Sequence, residues 1–164
     1  MKRLLVHICC GPCSIYPIKQ ALKGEVEVTG FFFNPNIQPR GEFNKRLDSV
    51  RKLAALMELD IVYKDEYDTA LFLKDREGRQ LKRLPKEDRC EFCYSTRLEA
   101  TALAARDGGF DSFTSSLLYS RYQEHEKIIE IAGEYAEEYG VGFFYEDFRV
   151  GWQKGITESK DMGL

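Results

Sequence analysis

The chain has 164 residues, enough for one domain with a real core and too few for two comfortable ones. A hydrophobic share of 43% is ordinary for a soluble globular protein, and no apolar run approaches membrane-spanning length, so no membrane partner is expected and the expected compartment is the cytoplasm. Its 24 basic and 27 acidic residues leave a net charge of -3, which excludes recruitment of nucleic acid by a global positive field and confines any such contact to a local patch.

In chain order, Leu4-Leu5-Val6-His7-Ile8 is a short apolar run that ends at cysteines, followed by Gly11 and Pro12 and by Ser14 as a helix cap, which reads as strand, loop, helix. Val26 to Phe33 is a second β-rich stretch closed by the turn signature Asn34-Pro35-Asn36. From Glu42 to Met57, the residues Phe43, Leu47, Val50, Ala54 and Met57 recur at helical spacing, and Leu59 to Tyr63 reads as a third strand. Glu91 to Asp107 is rich in helix formers and stops at Gly108-Gly109. Phe110 to Thr114 is a short strand, a further helix built on Ile128, Ile129, Ala132, Tyr135, Ala136 and Tyr139 ends at Gly140, and Val141 to Phe148 is the last strand.

Strands alternating with helices of this length predict an α/β fold, Rossmann-like and of the adenine nucleotide hydrolase type. The sheet is expected to be mostly parallel, with helices on both faces. In such folds, sites form beyond the carboxyl ends of the strands. The loop after the first strand holds Cys9, Cys10 and Cys13, and Cys90 and Cys93 are expected to flank the start of their helix, where the dipole favours thiolates.

These five cysteines form two tight groups with no isolated thiol elsewhere, a pattern that reads as a soft-metal site for zinc, copper(I) or an iron-sulfur cluster. Disulfides are the default in a small secreted protein, but Leu4 to Ile8 is too short for a secretion signal and His7 interrupts it. A structural zinc held by Cys10, Cys13, Cys90 and Cys93 is permissible by spacing and leaves Cys9 unexplained, since a lone extra cysteine is often only a small buried hydrophobe. His7, inside an apolar strand, reads as a satisfied core histidine before it reads as a ligand.

Between Lys74 and Arg89 the basic residues Lys74, Arg76, Arg79, Lys82, Arg83, Lys86 and Arg89 face the acidic Asp75, Glu77, Glu87 and Asp88, a local excess of three that runs straight into Cys90. A mixed-charge solvated loop is the plain reading. The alternative is a segment that holds a phosphate backbone so that one nucleotide reaches the metal, with Arg83, Lys86 and Arg89 as the contacts.

The string His7-Ile8-Cys9-Cys10-Gly11-Pro12-Cys13-Ser14 resembles the opening motif of the cobalamin-independent epoxyqueuosine reductases, the QueH family. Three further strings agree: Phe31 to Ile37 (FFFNPNI), Arg89 to Tyr94 (RCEFCY) and Phe148 to Gln153 (FRVGWQ). The resemblance spans nearly the whole chain. It implies reduction of epoxyqueuosine to queuosine at the wobble nucleotide of certain tRNAs, an external electron donor, and a 4Fe-4S cluster with a neighbouring single iron. On this chain the matching ligands are Cys9, Cys10, Cys13, Cys90 and Cys93. Members of the family usually continue into a tail containing Cys-Gly-Cys, whereas this chain stops at Leu164, and five thiolates complete one four-cysteine cluster and leave one over.

Within that resemblance, Asp147 is a candidate acid or iron ligand, Arg149 a phosphate contact, and Trp152 a platform for a flipped-out base. Two other classes compete. An ATP pyrophosphatase shares the expected fold, but its phosphate loop wants Ser-Gly-Gly-x-Asp-Ser where this loop reads Cys-Cys-Gly-Pro-Cys-Ser. A zinc-stabilised RNA-binding module without redox activity is the stronger rival.

Overall fold

A computed structural model describes residues 1–64, 74, 75 and 77–164. Strand β1 (Lys2–His7) is central: Leu4, Leu5 and Val6 are buried on both of its faces, so it reads as a continuous apolar run rather than an alternating one. It pairs in parallel with β2 (Val26–Phe32) on one side and with β4 (Ser112–Ser115) on the other. The edges are β3 (Ile61–Tyr63), parallel to β2, and β5 (Gly142–Phe143), parallel to β4. The order β3-β2-β1-β4-β5 reverses direction between β1 and β4, and the crevice at their carboxyl ends is the ligand-binding position of open α/β sheets.

Helices cover both faces, as expected. On one, α1 (Gly11–Leu22) and α2 (Arg40–Met57) bury Ile15, Ile18, Phe43, Leu47, Val50 and Leu53 against Leu4, Val6 and Phe32. On the other, α3 (Lys86–Asp107) and α4 (His125–Tyr139) bury Leu98, Ala102, Ala105, Ile128 and Ala132 against Leu5, Phe31 and Phe113. Among the described residues, no helix is long and apolar enough to cross a membrane.

Four expectations need correction. Helix α1 is capped by Cys10, not Ser14, whose hydroxyl sits inside the first turn and donates to the Cys10 carbonyl at 2.8 Å. Pro12 fits there because an N-terminal helical position needs no N–H donor. Helix α3 begins at Lys86, directly after Pro85, with Glu87 and Asp88 suited to its positive end, so Cys90 and Cys93 lie within the helix rather than flanking its start. The final strand is two residues long. Beyond Phe143 the chain leaves the sheet, and Asp147 caps a 3-10 turn at Phe148–Gly151 by accepting the Arg149 N–H at 3.0 Å.

The fourth correction is a helix that periodicity does not reveal, α5 (Trp152–Met162), packed on α1. Its apolar face is sparse, with Trp152 and Met162 packed on the core, and it docks largely through small residues: Gly155 lies against Tyr119, Ser159 is buried, and Glu158 pairs with Lys19 at 2.7 Å. Just before it, Gly151 lies against the Tyr16 ring so closely that an added Cβ would fall within the ring's own space. Overpacking of this kind costs about 1–3 kcal/mol. Gly151→Ala should therefore lower the thermal midpoint by roughly 5 °C in a circular-dichroism melt, whereas Gly133→Ala, where nothing lies within 4 Å of the new atom, should not.

Candidate functional site

The first strand delivers its cysteines through a clasp built on His7. Its Nδ1 faces the Ser115 hydroxyl at 2.9 Å, and its Nε2 faces the Phe33 carbonyl at 3.2 Å and Asn34 Oδ1 at 3.1 Å. Two acceptors at Nε2 assign the proton there and leave Nδ1 to accept from Ser115. Burial, helped by the charge of Arg97, holds the imidazole at about 4, so it is neutral. His7 thus ties the ends of β1, β2 and β4 together. Asn34 Nδ2 extends the clasp by donating to the Ile8 carbonyl at 2.8 Å, which is why the Asn-Pro-Asn turn matters to the cysteine loop.

Beyond the clasp, Cys9 is buried, and its N–H donates to Ser116 Oγ at 3.1 Å while the Ser116 hydroxyl donates to Cys9 Sγ at 3.2 Å. Cys10 is the extended residue before α1, and Cys13 lies in the first turn. Gly11 brings this turn against α2, its N–H donating to Ser49 Oγ at 2.9 Å where any Cβ would collide with the Ser49 carbonyl. The sulfur atoms of Cys9, Cys10 and Cys13 all lie within 4.8 Å of one another.

Three thiols this close do not ionise alike. Hydrogen bonds from Cys10 and Cys13, with a further one from Ser116, hold Cys9 well below the usual thiol range in spite of burial. Cys10 is drawn down by Cys13, but the Cys9 thiolate and burial outweigh this and push it up to about 12. Cys13 rises as well, because it donates to Cys10 and Cys9. The trio therefore carries one ready thiolate, and a thiophilic cation is what would release the other two protons.

Cys90 and Cys93 line the same cavity, a space of about 1080 Å³, as Cys9, Cys10 and Cys13. All five are free thiols, and Cys93 is raised by burial while Arg97 opposes the rise. Five sulfurs are the main ligands offered to this space; among the described residues no histidine lines it, His7 is committed to its clasp, and the Glu42 carboxylate is engaged by Arg46. A thiol-rich set with one depressed member and a buried cation beside it fits a soft-metal or iron-sulfur group.

The charge in the cavity wall is mostly positive. Among the described residues, Lys45, Arg46, Lys86, Arg89 and Arg97 line it against one side-chain carboxylate, Glu42, which accepts from Arg46 at 2.9 Å. This concentrates positive potential in a molecule of net charge -3. Of the contacts expected in the basic segment, Lys86 and Arg89 are in the lining; Arg83 is exposed on a 3-10 turn outside it, and Arg76 lies outside the described residues. Lys45 and Arg46, on α2, escaped the sequence reading because each sits within an ordinary amphipathic helix pattern.

Trp152 and Tyr122 add aromatic surface to the lining. The indole stacks on Tyr119 at 5.2 Å, meets the 85% exposed Tyr122 edge-on at 5.7 Å, and has the Arg121 guanidinium 5.4 Å from its ring. The Tyr119 hydroxyl donates to the Trp152 carbonyl at 2.8 Å, which fixes where α5 starts.

Asp147 and Arg149 do not join the cavity lining. They form a two-pronged pair, Arg149 Nε to Asp147 Oδ1 at 2.8 Å and Nη2 to Oδ2 at 2.7 Å. That hydrogen bonding brings Asp147 down to about 2. A carboxylate held there is an anion at neutral pH with no proton to give, which speaks against a role as acid, and Arg149 spends two of its donors on it.

The family profile of epoxyqueuosine reductase QueH matches residues 4–164. The epoxyqueuosine reductase QueH of Thermotoga maritima is 38% identical over 168 residues, covering 100% of this chain and 85% of that protein. The one from Dehalococcoides mccartyi is 34% identical over 162 residues, covering 99% and 86%. Among solved structures, a deacetylase complex from the teicoplanin biosynthesis pathway superposes with a TM-score of 0.54 at 11% identity, over 87% of this chain and 65% of that one, a likeness of fold alone.

Proposed function

Because the chain belongs to the epoxyqueuosine reductase QueH family, we propose that it removes the epoxide oxygen of epoxyqueuosine in tRNA, using an iron-sulfur cluster held by cysteines drawn from Cys9, Cys10, Cys13, Cys90 and Cys93, with a neighbouring single iron. The observation that supports this reading is the meeting of both cysteine groups in one cavity walled by cations and aromatic rings.

The reaction converts epoxide, two electrons and two protons into alkene and water, and an external donor supplies the electrons. A bound iron-sulfur centre would supply one-electron transfer into the breaking carbon-oxygen bond. The protein's own residues do the rest. Lys45, Arg46, Lys86 and Arg89 attract and orient the anticodon phosphates. Trp152 and Tyr122 offer faces and edges to an unstacked base, and the buried floor around Cys9 and Leu117 excludes water from the reacting carbon.

Anaerobic reconstitution followed by turnover of epoxyqueuosine-containing tRNA is the test. Brown protein with iron, labile sulfide and queuosine product is expected. Stoichiometric zinc without iron, sulfide or turnover would replace this reading with the zinc-stabilised RNA-binding module. Within it, Trp152→Ala should raise the KM for modified tRNA about 10-fold, the size expected for one lost base stack, and Trp152→Phe should restore most of the loss. Equal KM values for all three proteins would remove the stacking role.

A further inference from the structure

Among the described residues, Arg97 is a buried cation without a carboxylate partner. It is 5% exposed, deeper than any other cation in the cavity wall. Its Nε donates to the Cys93 carbonyl at 3.1 Å, and its guanidinium lies 5.8 Å from the Tyr94 ring. Among the described residues no Asp or Glu forms an ion pair with it. The other ionisable groups it feels are the sulfur atoms of Cys93 and Cys9, the Tyr94 hydroxyl and the like-charged Arg46. A guanidinium removed from water is strongly unfavourable unless negative charge stands beside it. Without metal, the sulfurs offer it at most the single Cys9 thiolate; as ligands of a bound metal, several thiolates would offer a great deal more.

We propose that Arg97 is the built-in counterion of the metal-thiolate centre, a positioning residue that retains the centre and raises its reduction potential. This rests on the reading that the cavity cysteines hold an iron-sulfur group. Each thiolate ligand adds a negative charge, and reduction adds another. A buried cation in a low-dielectric wall therefore stabilises the reduced state more than the oxidised one. In the metal-free protein this charge is buried with few negative partners beside it, so most of its desolvation cost stays uncompensated and it opposes folding there.

That asymmetry makes the test sharp. Arg97→Met removes the charge and keeps an apolar side chain of comparable length. Metal-free Arg97→Met should melt at or above the metal-free wild type. Reconstituted Arg97→Met should lose iron to a chelator about 10-fold faster than wild type and show a more negative midpoint in a dye-mediated titration followed by visible absorption. Arg97→Lys, which keeps the charge, should restore the midpoint. If Arg97→Met fails to fold, Arg97→Gln replaces it with the same expectations for iron loss and midpoint.

Unchanged iron retention and midpoint in the neutral variants would overturn the assignment of Arg97. So would a loss confined to tRNA affinity, which would make Arg97 a substrate phosphate contact. If wild type itself takes up no iron or sulfide, the iron-sulfur reading falls and the counterion falls with it. Wild-type uptake with indifferent variants overturns the counterion alone.

Discussion

Cys90→Ser is expected to emerge from anaerobic reconstitution colourless, with little iron or labile sulfide, and with turnover of epoxyqueuosine-tRNA below about one hundredth of wild type, since even residues that merely support a ligand cost 10–100-fold. The reason lies in how the cavity is assembled. Cys9, Cys10 and Cys13 come from one loop and offer three sulfurs. On the proposed reading a four-sulfur cluster then needs at least one ligand from α3, where Cys90 is half-buried in the cavity wall one helical turn before Cys93. Serine keeps the size of the side chain but offers an alcohol that does not ionise near neutral pH, so the fold should survive while the site does not. Far-ultraviolet circular dichroism identical to wild type, measured alongside iron content, separates these effects. Full turnover in a colourless protein would refute the role of the cysteines.

The second large effect concerns tRNA. Replacing Lys45, Lys86 and Arg89 together by glutamine should weaken binding about 100-fold near 0.1 M salt and reduce the slope of log affinity against log salt by roughly 2, as expected when three phosphate contacts to a partly single-stranded loop are lost. Filter binding or fluorescence anisotropy across a salt series reads both numbers. Arg83→Gln is the informative control. Arg83 belongs to the same basic stretch of sequence but lies outside the cavity lining, so its loss should change affinity little. Equal effects from Arg83 and from the three cavity residues would mean that the basic segment acts as a diffuse patch and that the cavity is not where the phosphates lie.

The two experiments probe different links of one chain of cause. Sulfur positions depend on the clasp of His7, Asn34, Ser115 and Ser116 at the carboxyl ends of β1, β2 and β4. The phosphate contacts depend on where α2 and the start of α3 bring their cations. A variant that loses metal but still binds tRNA, and one that binds metal but not tRNA, should therefore both be obtainable.

Much of this was legible in the sequence because the forces involved are local. Apolar runs at Leu4–Ile8 and Val26–Phe33, helical periodicity over 42–57 and the Gly140 stop all report nearest-neighbour sterics and burial, and they imply the parallel α/β sheet that the structure contains. Thiols grouped at short spacing reveal soft-metal chemistry in the same way. Three matters were decided only in three dimensions. Helix α5 offers only a sparse apolar face, Trp152, Ile156 and Met162, and it docks where Gly151 and Gly155 let it settle on Tyr16 and Tyr119. Asp147 and Arg149 have the residue types of catalysis and substrate binding, yet they neutralise one another outside the cavity. Lys45, Arg46 and Arg97 are unremarkable in their own helices and become a cationic wall only when the sheet's crossovers turn α2 and α3 toward the same sulfurs. Local propensity and ligand softness fix most of the elements and the chemistry of the cysteines before any tertiary contact is considered. Which charges face that chemistry was decided by tertiary packing, because electrostatic partnership depends on distance in space and not on separation along the chain.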